Sequence, residues 1–173
     1  KVFQDGDFRS GYYRDQTFMM SIGALSLQQY FDGLYGHTDI NHDPMSAGRQ
    51  MGGHFGTHSL NEDGTFKNLV NQKNSSSDIS PTAGQMPRLL GLAYASHFYK
   101  INENLHQGKF LKCSKKGQEV AFGTIGDAST SEGLFWEVIN AGGVLQVPLI
   151  VSIWDDGYGI SVPKKLQTTK SSI

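Results

Sequence analysis

The stretch 126–161, GDASTSEGLFWEVINAGGVLQVPLIVSIWDDGYGIS, restricts the fold of this chain more than any other. It opens with Gly126-Asp127 at the end of one apolar run, 120–125, and closes with Asp155-Asp156-Gly157 at the end of another, 149–154. Between the runs, Leu134, Phe135, Val138, Ile139 and Leu145 mark the buried face of a helix reaching about Gln146. Ser129 is the candidate N-cap, Glu132 its capping-box partner, and Pro148 the stop. Strand, helix and strand in so short a span make a βαβ unit, with parallel strands and a right-handed crossover. Asp127 and Asp156 then leave the sheet at the same side, where open α/β sheets bind ligands. Their hard oxygen ligands suit a divalent cation, which phosphate oxygens and water would complete. Spacing alone leaves a second reading open, in which Asp155-Asp156-Gly157 is only a turn and Asp127 only a carboxylate at a helix start.

The remainder of the chain is compatible with an α/β layer fold. Ser26 and Gln29 form a capping box ahead of Leu27, Tyr30, Phe31, Leu34 and Tyr35, which share one helix face, and Gly36 ends that helix. An apolar segment, 18–25, precedes it, broken by Gly23. From 37 to 74 periodicity disappears, and loops of that length in compact domains are functional or partly disordered. His37, Asp39, His42 and Asp43 lie within it, at spacings that match no metal-ligand pattern. Asn61-Glu62-Asp63-Gly64 reads as a turn. A mostly buried helix is expected over 84–99, and the polar stretch 102–117 is expected to loop out.

Composition excludes several classes. A formal net charge of −1, with no basic stripe, gives no electrostatic case for nucleic acid. Lys112, Lys115 and Lys116 read as a solvated turn beside Gly117. No apolar run is long enough to span a membrane. The single Cys113 excludes an internal disulfide and fits a reducing compartment, so a cytoplasmic location is expected. The sequence lacks an initiator Met and stops at Ser-Ser-Ile, so a single domain over 1–173, incomplete at both ends, is expected.

Several motifs in order carry a family resemblance. Segment 126–161 resembles the thiamine diphosphate motif, which begins Gly-Asp-Gly and ends Asn-Asn, and in particular its version in the α subunit of 2-oxo acid dehydrogenase E1 components, which continues Gly-Tyr-Ala-Ile-Ser. Here Gly126-Asp127-Ala128 and Asp155-Asp156-Gly157-Tyr158-Gly159-Ile160-Ser161 stand in those places. Tyr12-Tyr13-Arg14-Asp15-Gln16 resembles the family's Tyr-Arg-Asp segment. Gly48-Arg49-Gln50-Met51 with Gly53-His54-Phe55-Gly56 resembles its Gly-Arg-Gln-Met-Pro-Gly-His-Phe-Gly loop. Ser80-Pro81-Thr82 with Gln85-Met86-Pro87 resembles its Ser-Pro turn leading into Gln-Ile-Pro.

The resemblance implies a thiamine diphosphate-binding fold, α/β with a mostly parallel central sheet flanked by helices. It implies oxidative decarboxylation of a 2-oxo acid with acyl transfer to the lipoyl domain of an E2 component. A branched-chain substrate of the 2-oxoisovalerate type fits the loop motif best, with pyruvate or acetoin behind it, and a non-catalytic cofactor-binding half is an alternative of another class. Asp127 and Asp156 would hold Mg²⁺ by their side chains and Tyr158 by its carbonyl. Tyr13 and Arg14 would hold the diphosphate, an arginine fork suiting its oxygens, with Gly126 beside it. Backbone N–H groups of Ala128 and Ser129, opening the helix, would add an anion site. Ser80, Thr82 and Ile160 would contact the rest of the cofactor. No catalytic residue is expected in this stretch, because the activating Glu belongs to an E1 β subunit or a fused β half, in an α2β2-type assembly. The sequence departs from the family at Asp156, usually Asn, and at Trp154, often a polar or cationic residue. Gly84 replaces a Thr associated with a potassium site, and Gly52 replaces a Pro. Asp156 keeps an oxygen ligand, so cofactor binding is expected to persist.

Overall fold

The computed structural model describes residues 2–49, 53–169 and 173. Gln50, Met51 and Gly52, including the expectation of a freer loop at Gly52, lie outside the described residues. A parallel sheet in the order β2-β1-β3-β4 forms the centre, built from β1 (Phe8–Ser10), β2 (Asn74–Ser75), β3 (Ala121–Gly126) and β4 (Leu149–Trp154). Helices α1 (Gln16–Ser21), α2 (Leu27–Leu34), α3 (Gln85–Ile101) and α4 (Gly133–Leu145) accompany it. A two-stranded antiparallel hairpin, β5 (Tyr158–Gly159) with β6 (Val162–Pro163), follows β4.

The βαβ unit forms as expected. Six register pairs join β3 to β4, from Ala121 with Leu149 to Gly126 with Trp154. Helix α4 buries Phe135 and Val138 against Met86, Leu89 and Ala93 of α3 and Ala121 and Ile125 of β3. Side chains of that size stabilise by roughly 1.5–3 kcal/mol each when fully buried. Gly123 allows α3 to lie close on the sheet, since a Cβ there would run into the Leu89 side chain. A second cluster, Met19, Leu25 and Phe55 with Phe18, Tyr30 and Met45 around it, holds α1 and α2 beside the sheet.

Three sequence expectations need correction. The expected capping box at Ser129 and Glu132 is not made. A 3₁₀ turn, Ala128–Ser131, occupies those residues, and α4 begins after it with Glu132 as an N-cap lacking any side-chain bond. The cause is local: the Thr130 hydroxyl and N–H both donate to the Asp127 carbonyl, at 2.6 and 3.1 Å, tightening the chain before the α-helix can start. Neither long helix is buried as expected. Helix α3 leaves Tyr94, Phe98 and Ile101 exposed. Of the five residues expected on the buried face of α4, the core against α3 and β3 takes in only Phe135 and Val138, leaving Leu134, Ile139 and Leu145 exposed. Segment 102–117 does not simply loop out. It forms two 3₁₀ turns, Glu103–Leu105 and Gly108–Lys112, and ends on Ser114, which donates to the buried Glu119 carboxylate at 2.9 Å.

Helix α2 has the expected capping box, with the Ser26 hydroxyl accepting from Gln29 N–H and Gln29 Oε1 accepting from Ser26 N–H, and Gly36 follows at φ +69°. Its apolar stripe, however, faces outward at Leu27, Phe31, Leu34 and Tyr35. Among its described residues the 37–74 stretch carries one short 3₁₀ turn, Leu69–Asn71, before β2. Within it Asp43 is buried and accepts N–H groups of Met45, Ser46 and Gly48, which folds 43–48 around one carboxylate. Asn61 and Gly64 form the expected turn, Gly64 N–H donating to Asn61 O at 3.0 Å.

Candidate active site

Every strand of the parallel sheet ends at the same side, and there a cavity of 640 Å³ opens. All the residues expected at the site line it: Tyr13, Arg14, Ser80, Thr82, Gly126, Asp127, Ala128, Ser129, Asp156, Tyr158 and Ile160. Four chain segments deliver them. The loop after β1 brings Tyr13 and Arg14, and the loop before α3 brings Ser80 and Thr82. The turn after β3 brings 126–129, and the loop and hairpin after β4 bring Asp156, Tyr158 and Ile160.

Asp127 sits at the end of β3 with its N–H donating to Trp154 O at 3.3 Å, which ties it to the end of β4. Its side chain is buried, and its Oδ2 has no hydrogen-bond partner among the described residues. A buried carboxylate oxygen left that way costs free energy that a bound cation would offset. The next strand end supplies two consecutive carboxylate turns. Asp155 Oδ1 accepts Gly157 N–H at 3.0 Å, and Asp156 Oδ1 accepts Tyr158 N–H at 3.1 Å. Gly157 takes φ +79° between them, which a glycine does without strain. No cluster of three or more His, Cys, Asp or Glu side chains suited to a metal exists among the described residues. A cation here would therefore draw on two carboxylates, a backbone carbonyl, and oxygens of its ligand or water. That is a donor set typical of Mg²⁺.

The excess acidity is answered from the following segment. Lys164 pairs with Asp155 Oδ2, and this bond is the main cause holding the Asp155 carboxyl below its usual range, helped by Gly157 N–H and by contact with Asp127. Asp155 and Lys164 were absent from the sequence-derived site. Their signal was a lysine just past the hairpin, but only the hairpin's folding-back reveals it. Arg14 is exposed in the cavity wall with its guanidinium 5.5 Å from the centre of the Tyr13 ring, oriented by stacking and turned to the cavity. Tyr12 packs edge-on to Tyr13 at 5.9 Å, and burial, then the nearby Asp15, raises its phenol above the usual range. Tyr12 also lines the cavity and was missed, as was the buried Gln85, whose amide donates to Thr124 O at 2.9 Å. Beside Tyr13, whose ring centre is 6.4 Å from its own, His54 places Nε2 2.5 Å from Ser80 Oγ.

The anion site expected from a helix opening at Ala128 and Ser129 is not built that way, because these residues start a short 3₁₀ turn instead of α4. A close contact does form there. A Cβ on Gly159 would lie 2.6 Å from the Ala128 Cβ and collide with Gln167, so the β5–β6 hairpin rests directly on the turn after β3. The pair Ala128 and Gly159 stands where the E1 α pattern has Gly and Ala.

A chain of this topology, with carboxylates at two adjacent strand ends and an arginine across the cavity, matches over residues 1–173 the family model described as "Dehydrogenase E1 component", and it belongs to that family. Its curated relatives include 2-oxoisovalerate dehydrogenase subunit alpha of Bacillus subtilis (strain 168), 28% identical over 96% of this chain and 41% of that protein. They also include the mitochondrial 2-oxoisovalerate dehydrogenase subunit alpha of Caenorhabditis elegans, 27% identical over 93% of this chain and 30% of that protein. The mitochondrial alpha 2 subunit of Arabidopsis thaliana is 28% identical over 87% of this chain and 25% of that protein. The chain thus spans less than half the length of these relatives.

Proposed function

We propose that this chain is the diphosphate- and metal-holding part of a thiamine diphosphate-dependent 2-oxo acid dehydrogenase. The reaction is oxidative decarboxylation of a branched-chain 2-oxo acid of the 2-oxoisovalerate type, with the acyl group passed to a lipoyl domain of an E2 component. The observation that carries this reading is the buried, unpartnered Oδ2 of Asp127 on a cavity wall that also presents Arg14 and Asp156. Such a wall offers opposite charges to the two halves of a metal diphosphate, cation to carboxylates and phosphates to guanidinium.

The bound cofactor supplies the carbanion chemistry. The chain's own residues bind and orient. Asp127 and Asp156 hold Mg²⁺ with the Tyr158 carbonyl, and Arg14 and Tyr13 hold diphosphate oxygens beside Gly126. Ala128 and Ser129 close the phosphate end, while Ser80, Thr82 and Ile160 support the cofactor's rings. The Asp155–Lys164 pair keeps a cation near the acidic cluster and so limits the repulsion that Asp156 adds. The group that activates the cofactor comes from a β subunit or fused β half, in an α2β2-type assembly. Cys113 is a free thiol, and we place the protein in the cytoplasm.

Calorimetric titration of the whole assembly with thiamine diphosphate, with and without Mg²⁺, tests the reading. Metal-dependent binding is expected. Its absence would leave the non-catalytic assembly half as the better account.

A further inference from the structure

Beneath the cavity lies a buried charged cluster that holds no ligand position itself. Arg9, in the middle of β1, is fully buried. Its Nε donates to Asp15 Oδ2 at 3.2 Å, with Nη2 pairing to the same oxygen, and its Nη1 donates to Ser75 Oγ at 2.6 Å. Nη2 also lies 2.8 Å from Asp78 Oδ1. The Thr124 hydroxyl, from β3, donates to Asp15 Oδ2 as well. Gly11 is confined beneath this cluster, since a Cβ there would strike the guanidinium and the Asp15 carboxylate.

The partners of Arg9 are the roots of two neighbouring segments of the cavity wall. Asp15 directly follows Tyr12-Tyr13-Arg14 and is the N-cap of α1. Asp78 precedes Ser80-Pro81-Thr82, and its neighbour Ile79 bridges in parallel to Tyr12. We propose that Arg9 is a positioning residue that fixes the diphosphate-side wall, 12–14, against the ring-side wall, 80–82. This rests on the proposed function only for which ligand the walls hold. A planar fork with five donors serves three partners at once, which a lysine ammonium on a flexible stem does not reproduce.

The charge count adds a second property. One guanidinium faces two carboxylates in a site without solvent. The groups facing Asp78 are Arg9 from β1, Asp15 from the start of α1 and the Phe55 N–H, 3.3 Å from Asp78 Oδ2. Burial, opposed by Arg9 and reinforced by Asp15, raises Asp78 to about 7. As Asp78 ionises, a second carboxylate charge comes to face the one buried guanidinium. The walls are therefore held most firmly on the acid side of neutrality and loosen as Asp78 ionises.

The test is hydrogen exchange on the whole protein without cofactor, read as protection factors for peptides covering 10–16 and 78–84, together with the dissociation constant for thiamine diphosphate and Mg²⁺. Arg9→Lys is expected to lower protection in both peptides and to weaken cofactor binding on the order of ten-fold, as loss of a group that orients ligands does. In wild type, protection in both peptides falls between pH 6 and 8.5, whereas Asp78→Asn holds its low-pH value throughout. The change at 10–16 on altering residue 78 is decisive, because a merely local role leaves the neighbouring segment unmoved. Should Arg9→Lys fail to fold, the comparison of wild type with Asp78→Asn decides. Loss confined to 78–84, or identical pH profiles, overturns the proposal. Absence of cofactor binding in wild type overturns the proposed function instead and leaves the exchange result to stand by itself.

Discussion

Gly126 and Trp154 are register partners at the end of the β3–β4 ladder, and Asp127 N–H continues the pairing onto Trp154 O. The two acidic segments therefore leave the sheet side by side, one strand spacing apart at their roots. Asp127 is fixed by the ladder itself, whereas Asp156 is placed by the turn that follows it.

Asp127 is the residue whose loss should cost most. Asp127→Ala removes a deeply buried carboxylate of the cavity wall and, with it, the proposed metal anchor. Calorimetry should find metal-dependent thiamine diphosphate binding weakened by ~100-fold. The fold should persist, because that carboxylate packs no core. Unaltered binding would exclude Asp127 as a ligand.

At Asp156 the opposite sign is expected. Asp156→Asn keeps an oxygen and removes one negative charge beside the diphosphate. Affinity should rise about five-fold at low salt, the worth of roughly 1 kcal/mol of relieved repulsion. The gain should shrink as ionic strength increases. A gain unaffected by salt would point to a steric cause.

The contact between Ala128 and Gly159 invites a double-mutant cycle. Gly159→Ala alone places a methyl 2.6 Å from the Ala128 Cβ and should destabilise by about 1–3 kcal/mol. Ala128→Gly in the same chain should recover the share of that loss due to the Ala128 methyl, the flexible Gln167 side chain having to move aside in either case. Urea denaturation of the four proteins gives the coupling, and strictly additive effects would show that the two positions do not meet.

Asp78 makes stability depend on pH. Its folded value of about 7 stands above the ordinary 3.8, so between these the native protein retains a proton that the unfolded chain releases. The contribution is complete below the lower value and is lost as pH rises through the higher one. It amounts to on the order of 4 kcal/mol in all. Urea midpoints of wild type should fall over that range more steeply than those of Asp78→Asn. Parallel curves would show that Asp78 titrates normally.

What the sequence made legible follows from period and length. Strands β3 and β4 are six-residue apolar runs, and the helix between them repeats its large residues at helical spacing, so the βαβ unit and its acidic ends were readable. Strand β1 was not, because its three residues, Phe8, Arg9 and Ser10, place a charge in the middle of the sheet. Strand β2 was hidden for a similar reason. Asn74 and Ser75 are polar, and they are buried only because Asn74 Nδ2 finds Leu69 O at 2.8 Å and Ser75 Oγ finds Arg9. Local pattern also misled at Ser129-Thr130-Ser131-Glu132, where the backbone spent its donors on the Asp127 carbonyl. The stripe on α2 was correctly periodic, yet period reports only that a face is apolar and not whether anything covers it. Lys164 reaches Asp155 through tertiary folding, which no local spacing encodes.

The Ala128–Gly159 contact has one more consequence, for how this chain is compared with its relatives. Aligned column by column, Ala for Gly at 128 and Gly for Ala at 159 count as two departures from the E1 α pattern. In space the two positions face each other across one gap, so they are a single packing choice at the contact between hairpin and turn. A column-by-column count treats as two independent events what the fold couples into one.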